Sequence, residues 1–278
     1  MSSSEPRSTA VPKYFTNKVV KESTAKGIVA IVVGSIMIPI GLIIMLIYED
    51  YSGGIACLGV PGVILIITGI IILTKVNARY KKEIERTEPK PSEAQMDAWL
   101  EEDKARIIQP SIFMSKLDLP AESVINANDP LVVIGPAAGA KIKAGEDGVF
   151  RFSRYEIVVI YLTDYHLGAY SCELDFVTGN VTREQTQEYH YTDVVSVATL
   201  TSNTPFRVET MDGTLHPIVS SQEFSLSVAS GQSIRVAVNF PQLPDILKTG
   251  RLAPTGAERA ISTLRTLLRE KKSGLAHV

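Results

Sequence analysis

The stretch GIVAIVVGSIMIPIGLIIMLIY, residues 27–48, decides the fold, together with IACLGVPGVILIITGIIILT, residues 55–74, which follows after six residues. Neither run contains Asp, Glu, Lys, Arg or His. A helix rises about 1.5 Å per residue, so about 20 such residues cross a ~30 Å hydrocarbon layer. The sequence therefore predicts two transmembrane helices. The alternative for either run is a buried helix of a soluble core, and for the first also a signal peptide. A signal peptide has an apolar core of only about 7–15 residues, whereas this run is longer and follows 26 polar-rich residues. The connector, Glu49-Asp50-Tyr51-Ser52-Gly53-Gly54, leaves no reach for anything but antiparallel neighbours.

The flanks set an orientation. Arg7, Lys13, Lys18, Lys21 and Lys26 precede the first run, Lys75, Arg79, Lys81, Lys82 and Arg86 follow the second, and the connector has no basic residue. Basic flanks are retained in the cytosol, so both termini are expected there, with the hairpin in the plasma or inner membrane. The residues nearest the bilayer are Lys26, Lys75, Arg79, Lys81 and Lys82, and orienting the hairpin is sufficient work for them.

Formal net charge is −2, unevenly spread: residues 1–26 carry +3, the connector −2, residues 75–90 +3 and residues 91–278 −6. An acidic soluble part argues against nucleic acid as a partner. The two cysteines, Cys57 in a span and Cys172 beyond it, are expected to stay thiols on this topology. Asn180-Val181-Thr182 matches a glycosylation acceptor but would face the cytosol, and is read as a turn.

Within the spans Gly27, Gly34 and Gly41 recur every seven residues, as do Gly62 and Gly69. Residues seven apart share a helical face, so these glycines form a groove that lets backbones approach. The groove serves the hairpin's own packing or, alternatively, a homo-oligomer. Pro39 and Pro61 are expected to bend their helices. Neither span holds an ionisable group of the sort that marks an ion path, which disfavours an autonomous transporter or channel.

Four segments follow: a cytoplasmic tail over 1–26, the hairpin over 27–74, a charged linker with a connecting helix over 75–128, and a soluble domain over 129–278. The second span runs on into water until Glu88-Pro89-Lys90-Pro91 stops it. Ser92 and Gln95 then form a capping box for a helix whose apolar positions are Met96, Trp99, Leu100, Ile107 and Ile108. That helix is a stalk, a surface helix or part of the domain. From about Leu131 the pattern becomes short β-rich runs: Tyr155–Leu162, Tyr165–Phe176, a third near Glu184–Tyr191, then Val194–Leu200, Phe206–Met211, Phe224–Val228 and Ser233–Phe240. Asp212-Gly213 and Ser230-Gly231 signal hairpins, and Phe224, Leu226 and Val228 alternate against Ile234, Val236 and Val238. A final helix is capped by Thr255 and Glu258, carries an apolar stripe from Ala257 to Leu268, and is expected to stop at Gly274. The fold class is α+β.

About seven antiparallel strands followed by one amphipathic helix is the order of a pleckstrin-homology-like (PH-like) barrel with a C-terminal capping helix. Leu162-Thr163-Asp164-Tyr165-His166-Leu167, Tyr170-Ser171-Cys172 and the run Tyr189-His190-Tyr191-Thr192-Asp193-Val194-Val195-Ser196-Val197 resemble membrane-anchored bacterial PH-like (GRAM-like) domains. The resemblance spans roughly residues 150–272. It implies a bacterial inner-membrane setting and no catalysis.

Candidate chemistry is sparse. Leu131 to Lys141 resembles a strand entering a phosphate loop, but Gly135 and Gly139 have three residues between them where that loop needs four, and Ile142 stands near the place of the hydroxyl. An ordinary turn is expected. His166, His190, His216 and His277 lack metal-ligand spacing, and pairing about Gly179-Asn180 is expected to bring His166 near Asp193. No nucleophile elbow or His-Glu-x-x-His pattern occurs, so no catalytic, metal or cofactor residue is expected. The expectation is a membrane-anchored interaction module, with the bilayer and a protein as partners. Lipid head-group recognition, or an accessory role beside a membrane transporter or enzyme, is the alternative.

Overall fold

The computed structural model describes residues 6–17, 19–48, 58–109, 123–203, 206–210, 214–247 and 250–275. Lys18, the connector, Cys57, the Asp212-Gly213 signal and His277 lie outside the described residues. The chain forms two compact units, one from residues 17–89 and one that joins residues 1–16 to residues 90–278.

The first unit is a pair of apolar helices, α2 (Ala25–Tyr48) and α3 (Val60–Thr87), both long and apolar enough to cross a membrane. Their large side chains face outward: Ile28, Val32, Ile43, Ile64 and Ile70 are all exposed, the reverse of a soluble core helix. Ser35 and Thr68 return their hydroxyls to the carbonyls of Ile31 and Ile64 at 2.8 Å, so neither is left wanting in an apolar surround. Pro39 lies inside α2. Pro61 occupies the first turn of α3, where its missing N–H breaks no hydrogen bond of that helix. As expected, α3 continues in one piece beyond the apolar run to Thr87.

The second unit is α+β. After α1 (Arg7–Tyr14) and α4 (Glu93–Ile107) come β1 (Leu131–Pro136), β2 (Ile142–Ala144), β3 (Phe150–Phe152), β4 (Arg154–Leu162), β5 (His166–Asp175), β6 (Asn180–His190) and β7 (Val194–Ser202). There follow β8 (Phe206–Glu209), β9 (Leu215–Ile218), β10 (Ser221–Val228), β11 (Ser233–Asn239), α5 (Leu243–Leu247) and α6 (Ala257–Leu275). Every described strand pair is antiparallel: a four-stranded sheet β1-β4-β5-β6, a three-stranded sheet β11-β10-β7, and the hairpins β2-β3 and β8-β9. The described strands close no barrel.

The β4 strand is buried on both faces, which splits the core in two. Val158 and Ile160 point into a cluster with Phe224, Leu226, Val236 and the α6 residues Ala260 and Leu264. On the other face Ile157, Val159 and Tyr161 meet Tyr14, Met96, Phe152 and Phe176. The Phe224↔Val236 and Leu226↔Ile234 pairs stand in the register their alternation predicts, and Gly231 takes the positive φ of +87° that the turn requires.

One open alternative is decided and two expectations change. The connecting helix belongs to the domain: Ser92 Oγ accepts from Gln95 N–H at 3.2 Å, and Met96 and Ile107 are buried. The segment over residues 7–16 is no free tail, because Val11, Tyr14 and Phe15 are core residues. The last helix does not stop at Gly274 but includes it and runs to Leu275, since a single glycine at a helix end costs only about 1 kcal/mol relative to alanine.

Candidate functional site

The glycines of α2 and α3 make the hairpin's internal seam. A Cβ on Gly34 would lie 2.5 Å from the Gly62 carbonyl oxygen, and one on Gly62 would lie 2.9 Å from that of Gly34. Gly69 and Gly27 repeat the arrangement one heptad along, at 2.7 and 3.1 Å. Only residues without a side chain allow this approach, which gives helices in lipid the close van der Waals contact that replaces a hydrophobic driving force. These four glycines are therefore spent within one chain. Gly41 is also buried and lines an apolar surface groove of about 370 Å³ with Ile38, Leu42, Gly59 and Val63. We expect Gly34→Leu to push the helices apart at a cost of about 1–3 kcal/mol. Cysteine cross-linking between α2 and α3 in detergent checks this, and an unchanged cross-linking yield would refute the seam. The flanking cations Lys26, Lys75, Arg79, Lys81 and Lys82 are all exposed.

In the soluble unit the glycine-containing turn after β1 is no phosphate cradle. Its N–H groups are already used: Ala137 donates to the Arg154 carbonyl at 3.1 Å, Gly139 to the Arg207 carbonyl at 3.0 Å and Lys141 to Ser153 Oγ at 2.8 Å. His166 does not meet Asp193. It stands in register with His190, the two rings 6.1 Å apart and edge to face, with Glu188 Oε2 4.0 Å from its Nε2. The turn lies at residues 176–179, centred two residues before Gly179-Asn180, so Asp175 pairs with Asn180 and His166 falls short of Asp193; the bulge between Ser171 and Glu173 moves its partner by only one, to His190.

A cavity of about 270 Å³ opens beside β1, lined by Leu100, Ile134, Phe150, Phe152, Leu252 and Pro254. Asp97, Glu101, Lys104 and Arg151 are its charged members, and Arg151 is buried and saturated: it donates to both Asp97 carboxylate oxygens at 2.8 Å and to Asp147 at 3.0 and 2.7 Å. The arginine in turn holds the Asp147 carboxyl down at about 2. Among the described residues no group of three or more His, Cys, Asp or Glu side chains is arranged to hold a metal.

Sequence reasoning missed a carboxylate cluster. Glu156 on β4 pairs directly with Glu173 on β5. Glu173 is served by Arg154 at 3.1 Å and Arg183 at 2.9 Å. Glu156 is pushed up to about 7 by burial, then by the charges of Glu173 and Glu223, with Arg183 opposing. Like charges opposite one another on a sheet destabilise it. The sign follows from linkage. A carboxyl raised on folding contributes stability that is full below its unfolded value near 4.5 and is lost as pH rises through about 7. Glu156→Gln should therefore raise the melting temperature at pH 8, by a gain of roughly 2 kcal/mol once solvent screening is allowed for, and leave it unchanged at pH 4. Thermal melts at the two pH values check this. A pH-independent effect would refute it.

Both outer sheet edges are blunted. On β7 the carbonyls of Val194 and Val197 accept from Lys272 Nζ at 2.7 Å and Arg265 Nε at 2.9 Å of α6, while β6 carries its irregularity next to Arg183, whose φ is +51°. Comparison with protein-family models, with curated proteins and with solved structures finds no match to this chain.

Proposed function

We propose that this protein is a membrane-anchored, non-catalytic PH-like module that presents a cytoplasmic interaction surface. The observation that carries the reading is that the soluble unit draws on both sides of the apolar hairpin. The chain leaves this unit at Thr16 and returns to it at Lys90, whose Nζ donates to the Thr16 carbonyl at 2.6 Å. A unit assembled from residues before and after two spans has both of its parts on one side of a bilayer. The basic flanks then place that side in the cytosol.

Support for the PH-like part comes from the order of the long strands. β1, β4, β5 and β6 form one antiparallel meander, β7, β10 and β11 a second, and α6 follows and packs between β1 and β7. The short hairpins β2-β3 and β8-β9 are insertions into that order. With both edges blunted, the surface offered to a protein partner lies on the loops and on α6. Tethering raises its effective concentration, so weak contacts are sufficient.

Membrane sedimentation and a reporter fused after Val278 test the reading together. The expected result is a full-length chain that resists alkaline extraction and a reporter sealed from external protease. A soluble chain, or a reporter cleaved from outside, would overturn it.

A further inference from the structure

The part of α3 that extends past the apolar run carries four of its five cations on one face. Thirteen residues follow Thr74 within the continuous helix, about 20 Å at 1.5 Å per residue. Lys75, Arg79, Lys82 and Arg86 are spaced four, three and four apart, which at about 100° per residue confines them to an arc of roughly 60°. The face on the far side, Val76, Tyr80 and Ile84, is half-buried, and Lys21 Nζ lies 5.8 Å from the Tyr80 ring centre.

All four stripe cations are exposed, and none forms an ion pair among the described residues. Lys75 and Arg79, Arg79 and Lys82, and Lys82 and Arg86 are like-charge neighbours at spacings that cost a helix stability; Glu83 and Glu85 offset part of this at the Arg86 end, and no carboxylate lies within a turn of Lys75. The first three lie about 1.5, 7.5 and 12 Å along the axis beyond Thr74, so Lys75 and Arg79 fall within a head-group zone about 5–7.5 Å deep and Lys82 lies just outside it, within reach of its long side chain. Gly27 of α2 packs against Leu73, on the opposite side of α3, so the stripe faces away from the neighbouring helix.

We propose that this face, which points away from α2, binds anionic phospholipid, with a head-group phosphate held by Lys75 and Arg79 and approached by Lys82. The inference rests on the membrane reading above. The repulsion stored along the stripe is relieved by an anion, and a cation close to an anionic surface attracts it by on the order of 1 kcal/mol. Lipid recognition then belongs to the hairpin's base, not to the acidic soluble part.

The test uses the full chain in nanodiscs of phosphatidylcholine alone or mixed equally with phosphatidylglycerol, with spin-labelled forms of each lipid as probes. The expected result is about a tenfold preference of the motionally restricted shell for phosphatidylglycerol. The combined variant Lys75→Gln, Arg79→Gln, Lys82→Gln should bring it close to parity. Lys81→Gln, off the stripe, should leave it intact and so controls for loss of a cation alone. Equal restriction of both lipids, or a preference that survives the triple variant, would overturn the proposal. So would competition by inorganic phosphate beyond that of chloride at equal ionic strength, since it would make a free anion the ligand. Failure of this inference is distinguishable from failure of the anchor: a chain without lipid preference still sediments with membranes, whereas an unanchored chain does not.

Discussion

Deleting residues 1–16 should leave the soluble unit with an open core and a sharply lowered denaturation midpoint. Val11, Tyr14 and Phe15 are almost completely buried against the α4 and β4 face, and Lys143 Nζ lies 3.8 Å above the Tyr14 ring. Arg7 fastens the segment. Its guanidinium donates to the Phe176 carbonyl at 3.0 and 2.8 Å, pairs with the buried carboxylate of Asp103, and lies 4.5 Å from the Phe176 ring centre. Asp103 is 3% exposed, so removing the arginine leaves that charge with Arg106 alone, at 2.9 Å. Arg7→Met should cost about 2–3 kcal/mol, because a half-paired buried charge is dearer than either none or a full pair. Tyr14→Ala should cost about 3 kcal/mol as a large-to-small core change. The chain's single tryptophan, Trp99, has its ring 6.0 Å from the Arg7 guanidinium carbon, so its fluorescence reports the loss directly during urea unfolding. A peptide of residues 6–17 added to the truncated chain should restore part of the midpoint. An unchanged midpoint for the deletion would show that the segment does not hold this unit together.

The second large effect is expected at Gly135 in β1. A Cβ there would collide with the Ala237 carbonyl oxygen of β11 and reach 3.0 Å from Val236 Cγ1. This is where the four-stranded and three-stranded sheets approach, and the obstacle is backbone, which cannot swing aside as a side chain does. Gly135→Ala should therefore cost at least about 3 kcal/mol, the upper end for overpacking, although alanine is the smallest possible addition. Hydrogen exchange distinguishes the mechanism: protection should fall along β1 and β11 first, and less along β5 and β6. Uniform loss, or none, would contradict a local seam.

The parts of the fold that were legible in the sequence are those whose signal is local. The hairpin follows from length and the absence of charge. Most long strands follow from alternation, as in β10 and β11, whose apolar runs were expected to face one another and do, with Phe224 opposite Val236 and Leu226 opposite Ile234. The short pieces were not legible, because a three-residue strand such as β2 or β3 has no periodicity to read. The glycine seam was visible as a heptad, but spacing alone could not choose between a partner helix in the same chain and one in another.

The candidate site divides along the same line. The cations at the hairpin base stand in the sequence as a run, and their alignment on one face needed only the knowledge that α3 does not break before Thr87. The carboxylates could not be found that way. Glu156, Glu173 and Glu223 are separated by 17 and 50 residues. The burial and mutual repulsion that raise Glu156 arise only once β4, β5 and β10 are assembled.

By itself, then, the amino-acid order determined the two apolar helices, the α+β class and most long strands, because helix and strand periodicities are properties of consecutive residues. Tertiary structure alone decided that residues 7–16 and 90–108 complete the soluble unit, that four of the six glycines in the apolar runs face one another, and that a glutamate between two others is poised to ionise near neutrality. Each depends on groups distant along the chain meeting where water is excluded, and burial energies, close backbone contacts and desolvated charges exist only after that meeting.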